Sequence, residues 1–382
     1  MHRRKSAYFL FLAVLALLVL GIVMLFSTSA FARDAHGNPI YFVKRQLVWI
    51  VAGTMMAVFA SVLDYHFWQR TWWIWFSLAA VLLALCFVPH VGMLINGSRR
   101  WINFRVIAFQ PSELGKFAAL TFLAFWFSKY SGKSHTFAKG LVVPMAAVGL
   151  LMGLIAREVD LGTTTLIGCS LFAVMFVAGT NLLYLAPLVI SGLGGLYFVA
   201  THMPQRMARL KAFLHPDDFQ GGAGYQQNQG LIAFGSGGVE GLGLGLGRQK
   251  MSYLPFAHTD FIFPVIGEEL GLAATLGVVF CFLVITLAGT TIAMQARDRF
   301  GMLLGFGITV MLAMQAAVNI GVTTSLLPNK GLPLPFISYG GSNLAFCLFC
   351  VGILMNIFRQ GGIPDRSAKA VVRLQSIITP RI

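Results

Sequence analysis

The stretch AYFLFLAVLALLVLGIVMLFSTSA, residues 7–30, contains no charged side chain. An α-helix needs about 20 apolar residues to cross the hydrocarbon core of a bilayer, so this stretch predicts a membrane-spanning helix. It is too long for the apolar region of a secretory signal and lacks a convincing cleavage site, so we expect it to remain in the protein. The fold class then depends on whether the rest of the chain repeats this pattern.

The composition of the whole chain agrees with a membrane protein. Hydrophobic residues make up 57% of the 382 residues and charged residues 11%, whereas soluble domains average about 45–50% and about 25%. These values exclude an ordinary soluble domain and a disordered chain. The net charge of +15 would suggest nucleic acid in a soluble protein. In a membrane protein it is interpreted by location, and we expect no nucleic-acid partner.

Apolar runs near the length of a membrane span recur along the chain. We predict an all-α polytopic membrane protein with ten transmembrane helices. One membrane domain covers residues 1–358, and a basic cytoplasmic tail covers 359–382. The predicted spans are residues 7–31, 46–63, 71–90, 113–128, 141–156, 161–179, 182–200, 263–295, 301–325 and 341–358.

Basic residues in the connections predict the orientation, since Lys and Arg favour cytoplasmic loops. With the N-terminus inside, the inner connections carry 14 basic residues and the outer ones 13, or 8 without the long 201–262 segment. We therefore expect both termini in the cytoplasm, and the large loop 201–262, between helices 7 and 8, on the outer side of the membrane. Its first part, 202–219, has amphipathic helical spacing. Its Gly-rich part, 221–250, is predicted to contain no regular helix.

Two acidic residues near span ends are candidates for function. Glu113 and Lys116 are three residues apart, so they share a helix face and can pair. They form either a structural ion pair or part of an outward-facing polar site. In the second case Lys116, Arg99 and Arg100 would suit a phosphate or pyrophosphate group.

Asp260 lies where the large loop enters the eighth span and is followed by Phe261, Ile262 and Phe263. It is either an N-cap or a partly desolvated general base. Glu268 and Glu269 follow within two turns and could support Asp260 or hold a metal.

Two further segments interrupt the apolar pattern. Arg157, Glu158 and Asp160 form a second charged group between spans five and six, for which a solvated turn is the simplest interpretation. Residues 327–342 contain three Pro and three Gly. Such broken backbone at membrane depth is tolerated only where protein or a water-filled cavity covers it, so this segment indicates a site.

Several motifs in order resemble the SEDS family (shape, elongation, division, sporulation; FtsW/RodA/SpoVE). They are N-G-S-R-R-W-I from Asn96, Q-P-S-E-L-G-K from Gln110, H-T-D-F-I-F from His258, G-E-E-L-G from Gly267 and P-L-P-F-I-S-Y-G-G-S from Pro333. Lys330 and the first motif are more similar to the FtsW branch than to the RodA branch. Phe256 replaces the acid that the family usually carries before H-T-D.

The resemblance implies a peptidoglycan glycosyltransferase that polymerises lipid II at the outer face of the bacterial inner (cytoplasmic) membrane during cell division or shape maintenance. Its partners would be a class B penicillin-binding transpeptidase and other divisome or elongasome membrane proteins. It implies inverting transfer with Asp260 as general base, and pyrophosphate binding by Arg100 and Lys116, with Arg99 second. The supporting residues would be Glu113, His258, Thr259, Glu268, Glu269, Lys330 and Ser338.

The resemblance leaves a metal open, and magnesium or manganese is the candidate cofactor. One alternative is a lipid II flippase, with which the polar Gln315 and Asn319 in a span are compatible. The other is a structural scaffold for divisome proteins, which gives Glu113, Lys116 and Asp260 no role.

Overall fold

The computed structural model describes residues 2–29, 40–89, 91–95, 98–103, 108–158, 160–219, 221–251 and 253–361. The chain is mostly helical, and one small sheet is present. The predicted tail 359–382 lies outside the described residues from 362 onward. The helices are α1 His2–Ser29, α2 Tyr41–Val62, α3 His66–Arg70, α4 Trp72–Leu85, α5 Pro111–Lys129, α6 Val143–Arg157, α7 Leu161–Val177, α8 Leu182–His202, α9 Pro204–Leu214, α10 Tyr225–Gly237, α11 Ile262–Met294, α12 Arg299–Thr323 and α13 Gly341–Gly361.

A helix lies in each of the ten ranges predicted as spans. Within the described residues, six helical segments are long and apolar enough to cross a membrane: Arg4–Ser29, Tyr41–Val62, Ala138–Arg157, Ile262–Met294, Arg299–Thr323 and Gly341–Gly361. The third of these begins with a π-helical turn, Ala138–Val142, that leads into α6. Shorter apolar helices are Trp72–Leu85, Leu161–Val177 and Leu182–Gly192. The fold is therefore polytopic and α-helical.

The helices differ in how much of their surface the protein covers. In the most apolar window of α13, 83% of residues are buried, against 17% for α2. α13 is therefore central, while α2 lies at the periphery. Large apolar side chains on the outer helices are exposed, including Phe11 and Phe26 on α1 and Met55 on α2. Such a surface suits lipid, where apolar side chains need no cover.

Glycines allow α2 and α13 to approach closely. A Cβ on Gly352 would lie 2.3 Å from the carbonyl oxygen of Ala57, and one on Gly53 would lie 2.9 Å from the Cα of Ala345. Small residues at such crossings let helix backbones pack directly against each other, which is the usual way that membrane helices associate.

Polar connections gather at one end of the bundle, which we call the site end. Ser27, near the end of α1, contacts Glu269 of α11. The N–H of Tyr339, before α13, donates to the carbonyl oxygen of His258 at 3.0 Å. The opposite end contains His66, whose Nδ1 lies 2.8 Å from Oδ1 of Asp64. The two ends therefore carry separate polar clusters.

Two elements at the site end were not expected. Strands β1 Gly92–Ile95, β2 Ser98–Asn103 and β3 Ala108–Phe109 form an antiparallel sheet in the order β1-β2-β3. Helix α10 lies inside the Gly-rich segment, so the prediction that 221–250 lacks regular helix was wrong. The predicted amphipathic helix within 202–219 is present as α9.

Helix α11 is interrupted near its start. Gly271 has φ 74° and ψ −170°, which is not helical. The N–H of the next residue, Leu272, donates to the carbonyl oxygens of Gly238 and Val239 at 3.1 and 3.2 Å. A short helical segment, Ile262–Leu270, therefore precedes the long one and carries the chain from the loop into the bundle.

Candidate active site

Asp260 lies immediately before α11 but does not cap it. The N-cap is Phe261, and no side-chain oxygen accepts a capping hydrogen bond there. The Asp260 carboxylate instead accepts a hydrogen bond from Oγ1 of Thr259 at 2.5 Å. The side chain is partly exposed. Because the capping interpretation does not hold, the carboxylate is available for chemistry.

The loop before α13 holds a second charged group next to Asp260. A Cβ on Gly331 would lie 2.8 Å from Oδ2 of Asp260, so the carboxylate rests against this glycine. The preceding residue, Lys330, donates from Nζ to Oγ1 of Thr165 at 3.3 Å. Burial lowers the pKa of Lys330, and the nearby Arg206 lowers it further. The Asp260 carboxylate and the Lys330 ammonium group therefore belong to two segments that come into contact at Gly331.

Asp160 organises the N-terminus of α7. Its Oδ1 accepts a hydrogen bond from the N–H of Thr163 at 3.0 Å, which caps the helix. Its Oδ2 lies 3.8 Å from Arg100 and accepts a hydrogen bond from Gln110 at 3.3 Å. One carboxylate therefore joins α7 to strand β2.

Arg206 of α9 belongs to the same electrostatic neighbourhood. Burial lowers its pKa, as do the nearby Arg209 and Arg100, while Asp160 opposes them. We call Arg100, Arg206 and Lys330 the cationic cluster. These three cations come from a strand, a helix and a loop that are far apart in sequence.

The two predicted arginines of β2 lie at a β-bulge. The pairing with β1 skips Arg100, which is the extra residue of the bulge. A bulge disturbs the regular alternation of side chains between the two faces of a strand. Arg100 lies near Asp160 and belongs to the cluster, whereas a binding role for Arg99 stays a prediction.

Glu158 overturns the interpretation of residues 157–160 as a solvated turn. Its side chain is only 1% exposed, and Asp160 is also buried. Burial raises the pKa of Glu158 to about 8. Asp160 adds to this rise, while the Cys86 thiol and Arg100 oppose it. Of the three charged residues in this turn, Arg157 alone is exposed.

Glu113 and Lys116 form the predicted ion pair, with 2.8 Å between Oε2 and Nζ. Their side chains are 5% and 2% exposed. The ammonium also donates to Oε1 of Gln315 at 3.2 Å and lies over the ring of Phe346. The pairing is confirmed, whereas direct binding of pyrophosphate by this buried lysine stays a prediction.

Glu268 and Glu269 hold the Gly-rich segment. Glu268 accepts hydrogen bonds from the N–H groups of Arg248 and Gln249 at 2.7 and 3.2 Å. Glu269 accepts from the N–H of Gly245 at 2.8 Å and from Lys250 at 2.6 Å. The structure thus places these two carboxylates on the loop and not on Asp260.

His258 and Ser338 make structural contacts. The ring of His258 stacks on Phe42 with 4.3 Å between centroids. The hydroxyl of Ser338 accepts a hydrogen bond from the N–H of Leu334 at 2.8 Å. Both contacts fix the loops that surround Asp260.

The donor set does not by itself form a metal site. Among the described residues, no group of three or more His, Cys, Asp or Glu side chains could hold a metal ion. The Gly-rich segment and Lys250 occupy the carboxylates of Glu268 and Glu269, and a divalent cation at the site stays a prediction.

Sequence reasoning did not select Asp160, Glu158 or Arg206 as site residues. The chain has only 13 acidic residues, and an Asp directly before an apolar run that contains Thr163 is a capping signal. That signal could have located Asp160. The position of Arg206 near Asp160 and Arg100 depends on the path of α9 over the bundle. The spacing of residues in the sequence does not reveal that path.

Comparisons with known proteins show the family of this chain. The FtsW/RodA/SpoVE family, described as cell cycle protein, matches residues 8–361. The chain belongs to the FtsW/RodA/SpoVE family. This family member is 40% identical, over 92% of its length and 95% of the relative's, to the probable peptidoglycan glycosyltransferase FtsW of Geobacter metallireducens. It is 38% identical to stage V sporulation protein E of Bacillus subtilis, over 94% and 99% of the two chains.

Solved structures of the family are also similar. A chain from a peptidoglycan synthase complex, solved to explain the coordination of polymerization and crosslinking, has a TM-score of 0.75 at 26% identity. The alignment covers 93% of this family member and 98% of that chain. The rod shape determining protein RodA of Thermus thermophilus has a TM-score of 0.68 at 26% identity, with 92% and 96% covered.

Proposed function

We propose that this family member is a peptidoglycan glycosyltransferase that polymerises lipid II into glycan strands. The observation that carries the proposal is that the Asp260 carboxylate does not cap α11 and instead lies against Gly331, the residue after Lys330. A base beside a group of cations is what glycosyl transfer from a pyrophosphate-linked donor requires. The names of the relatives support the same activity.

Asp260 acts as the general base. It takes the proton from the 4-hydroxyl of the acceptor N-acetylglucosamine while that oxygen attacks C1 of the donor N-acetylmuramic acid. The new bond forms on the face opposite the leaving pyrophosphate, so the configuration at C1 inverts. The hydroxyl of Thr259 orients the carboxylate by its 2.5 Å hydrogen bond.

The leaving pyrophosphate needs charge neutralisation more than a proton. The cationic cluster supplies it: Arg100 and Arg206 offer planar donor groups, and Lys330 offers a compact charge. Lys116 is a further, buried cation of the site, and Arg99 is a second contact from the same strand as Arg100. A divalent cation bound by the pyrophosphate, magnesium or manganese, would share this neutralisation.

All ten predicted spans cross the inner membrane, with both termini in the cytoplasm and the site end outside. In this orientation the large loop, α9 and Asp260 face the compartment in which glycan is made. The partner is a class B penicillin-binding transpeptidase, because a polymer made here must be crosslinked. The role is closer to that of FtsW, in division, than to that of RodA, in shape.

A polymerisation assay tests the base. Purified Asp260→Asn, with its transpeptidase partner, should bind lipid II but form no polymer on a gel. Glu240→Gln is the matched control, since Glu240 is an exposed acid of the same loop. Normal polymer from Asp260→Asn would reject the assignment, as would equal loss in the control.

The same assay separates the enzyme from the flippase. Lipid II supplied on the accessible face removes any need for transport, so only an enzyme makes polymer from it. The described charged groups near Asp260 lie at one end of the bundle, which favours catalysis at a surface over a path through the membrane. Transport of labelled lipid II across vesicles without polymer would support the flippase instead.

A further inference from the structure

We propose that Asn319 of α12 is a positioning residue that fixes Asp260 relative to the Lys330 segment. The inference rests on the proposed function, because it assigns Asn319 a role in placing the general base. Asn319 does not face substrate in this arrangement, since its side chain is 1% exposed. It acts through the two backbone segments that it joins.

One amide nitrogen makes both contacts. Nδ2 of Asn319 donates to the carbonyl oxygen of Asp260 at 2.8 Å and to that of Leu332 at 2.7 Å. The first carbonyl belongs to the base itself. The second lies two residues after Lys330, beyond the glycine that the Asp260 carboxylate touches. A single side chain therefore ties together the two segments of the site.

The chemistry of the loop explains why an amide stands here. Residues 328–336 lie outside any helix, and Pro333 and Pro335 have no N–H. Inside a membrane bundle such carbonyls need donors from side chains. An amide NH₂ has two protons on one atom, whereas a hydroxyl has one and a carboxylate has none. Asn therefore bridges two carbonyls that Ser or Asp could not bridge.

A second amide, one turn earlier on α12, holds the next carbonyl of the same loop. Nε2 of Gln315 donates to the carbonyl oxygen of Pro333 at 2.9 Å. Its Oε1 accepts from Lys116, which is paired with Glu113. Consecutive carbonyls, those of Leu332 and Pro333, are thus held by consecutive turns of one helix. The buried ion pair stiffens the support for the loop.

The loop and the general base lie very close together at Gly331. Since a Cβ there would lie 2.8 Å from Oδ2 of Asp260, the glycine already touches the carboxylate. If the bridge at Asn319 were lost, the loop and the base could separate. A displacement of about 1 Å can reduce catalysis roughly 100-fold through misalignment alone.

Three variants of the full chain, assayed with its transpeptidase partner, test the inference. Asn319→Leu keeps the approximate volume and removes both donors. Its kcat for lipid II polymerisation should fall about 100-fold, while KM changes less than about 3-fold. Thr323→Val is the control, because Thr323 lies one turn away, is fully buried and bonds only to carbonyls of its own helix. It should keep activity within about 3-fold.

Asn319→Asp gives a readout that a merely structural role would not produce. A carboxyl buried between two carbonyls can donate one hydrogen bond when protonated and none when ionised. Activity should therefore be partial at low pH and fall further as pH rises, which adds a limb to the pH profile of kcat that the parent lacks. Melting temperatures of all variants are measured in the same detergent.

Three outcomes would overturn the inference. They are activity of Asn319→Leu within about 3-fold of the parent, an equal loss in Thr323→Val, or a parental pH profile in Asn319→Asp. Asp260→Asn is assayed in parallel. If it polymerises lipid II normally, the proposed base fails; if it is inactive while Asn319→Leu is active, only the positioning role fails.

Discussion

Asp160 and Asp260 both lie close before a helix, where an aspartate commonly serves as the N-cap. The structure separates them. Asp160 caps α7 through the N–H of Thr163, whereas the carboxylate of Asp260 makes no capping bond to α11. A capping signal is local, but its use depends on whether the backbone turns toward the carboxylate. The different roles of Asp160 and Asp260 could therefore be assigned only from the structure.

The capping role of Asp160 predicts a difference between two substitutions. Asp160→Asn keeps an oxygen for the cap and should leave the free energy of unfolding nearly unchanged. Asp160→Ala removes the cap and should cost about 1–2 kcal/mol. Both remove the charge facing Arg100, so both should weaken polymerisation. Thermal unfolding in detergent measures the difference, and equal stability of the two variants would contradict it.

Glu158 predicts a pH dependence of stability. The folded protein holds this proton up to about pH 8, while the unfolded chain loses it near 4.5. Raising the pH through this window therefore destabilises the fold, by up to about 1.4 kcal/mol per pH unit. Glu158→Gln should remove that slope. Unfolding midpoints from pH 5 to 9 test this, and identical slopes in both proteins would disprove it.

At the scale of elements, the Gly-rich segment and the start of α11 form one unit. Backbone N–H groups of a Gly-rich loop commonly surround phosphate. Here they surround the carboxylates of Glu268 and Glu269, and a Cβ on Gly247 would lie 2.9 Å from both. The loop is therefore filled by the protein's own acids. The backbone N–H groups of Gly245, Arg248 and Gln249 therefore already have acceptors within the protein.

The break in α11 predicts opposite effects for two glycines of that helix. Gly271→Ala places a side chain in a conformation that is essentially restricted to glycine, and its Cβ would lie 2.3 Å from the carbonyl oxygen of Val239. We expect a loss of at least 1–3 kcal/mol, on the order of other strained backbones. Gly277→Ala meets nothing within 4 Å and should be neutral or slightly stabilising. Thermal unfolding compares them; equal effects would refute the explanation.

The ion pair between Lys250 and Glu269 predicts a large cost for a single substitution. Both side chains are at most 1% exposed, and Ser27 of α1 joins them. Lys250→Met leaves a buried, poorly compensated carboxylate and should cost about 3–5 kcal/mol. The double variant Lys250→Met with Glu269→Gln should recover part of this. A double variant no more stable than the single one would argue against charge as the cause.

For the whole molecule, the positions of the long helices were predictable because apolar length is a direct physical requirement of the bilayer. The sheet at 92–109 was not, since its strands are short and lie among charged residues. Helix α10 was not predicted because its glycines disfavour a helix, whereas in the folded chain its packing against α11 stabilises it. The bridge of Asn319 could not be predicted either, because Asp260 and Leu332 are far apart in sequence and meet only in the folded chain.

The proposed orientation predicts which surfaces are reachable from outside the cell. Glu240 and Lys133 are exposed in loops at opposite ends of the bundle. In cells whose inner membrane is intact but whose outer layers are permeabilised, Glu240→Cys should react with a maleimide that cannot cross the inner membrane. Lys133→Cys should react only after lysis. The parent chain is labelled in parallel, because its own cysteines give a background signal. The reverse labelling pattern would show that the orientation is opposite to the one proposed.

The parent chain also contains a useful label of its own. Cys169 is the exposed cysteine of the five, and it lies one turn after Thr165, the residue that Lys330 contacts. A fluorophore attached to this native thiol would sit beside the site without any substitution. Its emission could report the arrival of lipid II and the departure of the carrier separately, which would give the binding kinetics of the enzyme before any polymer is formed.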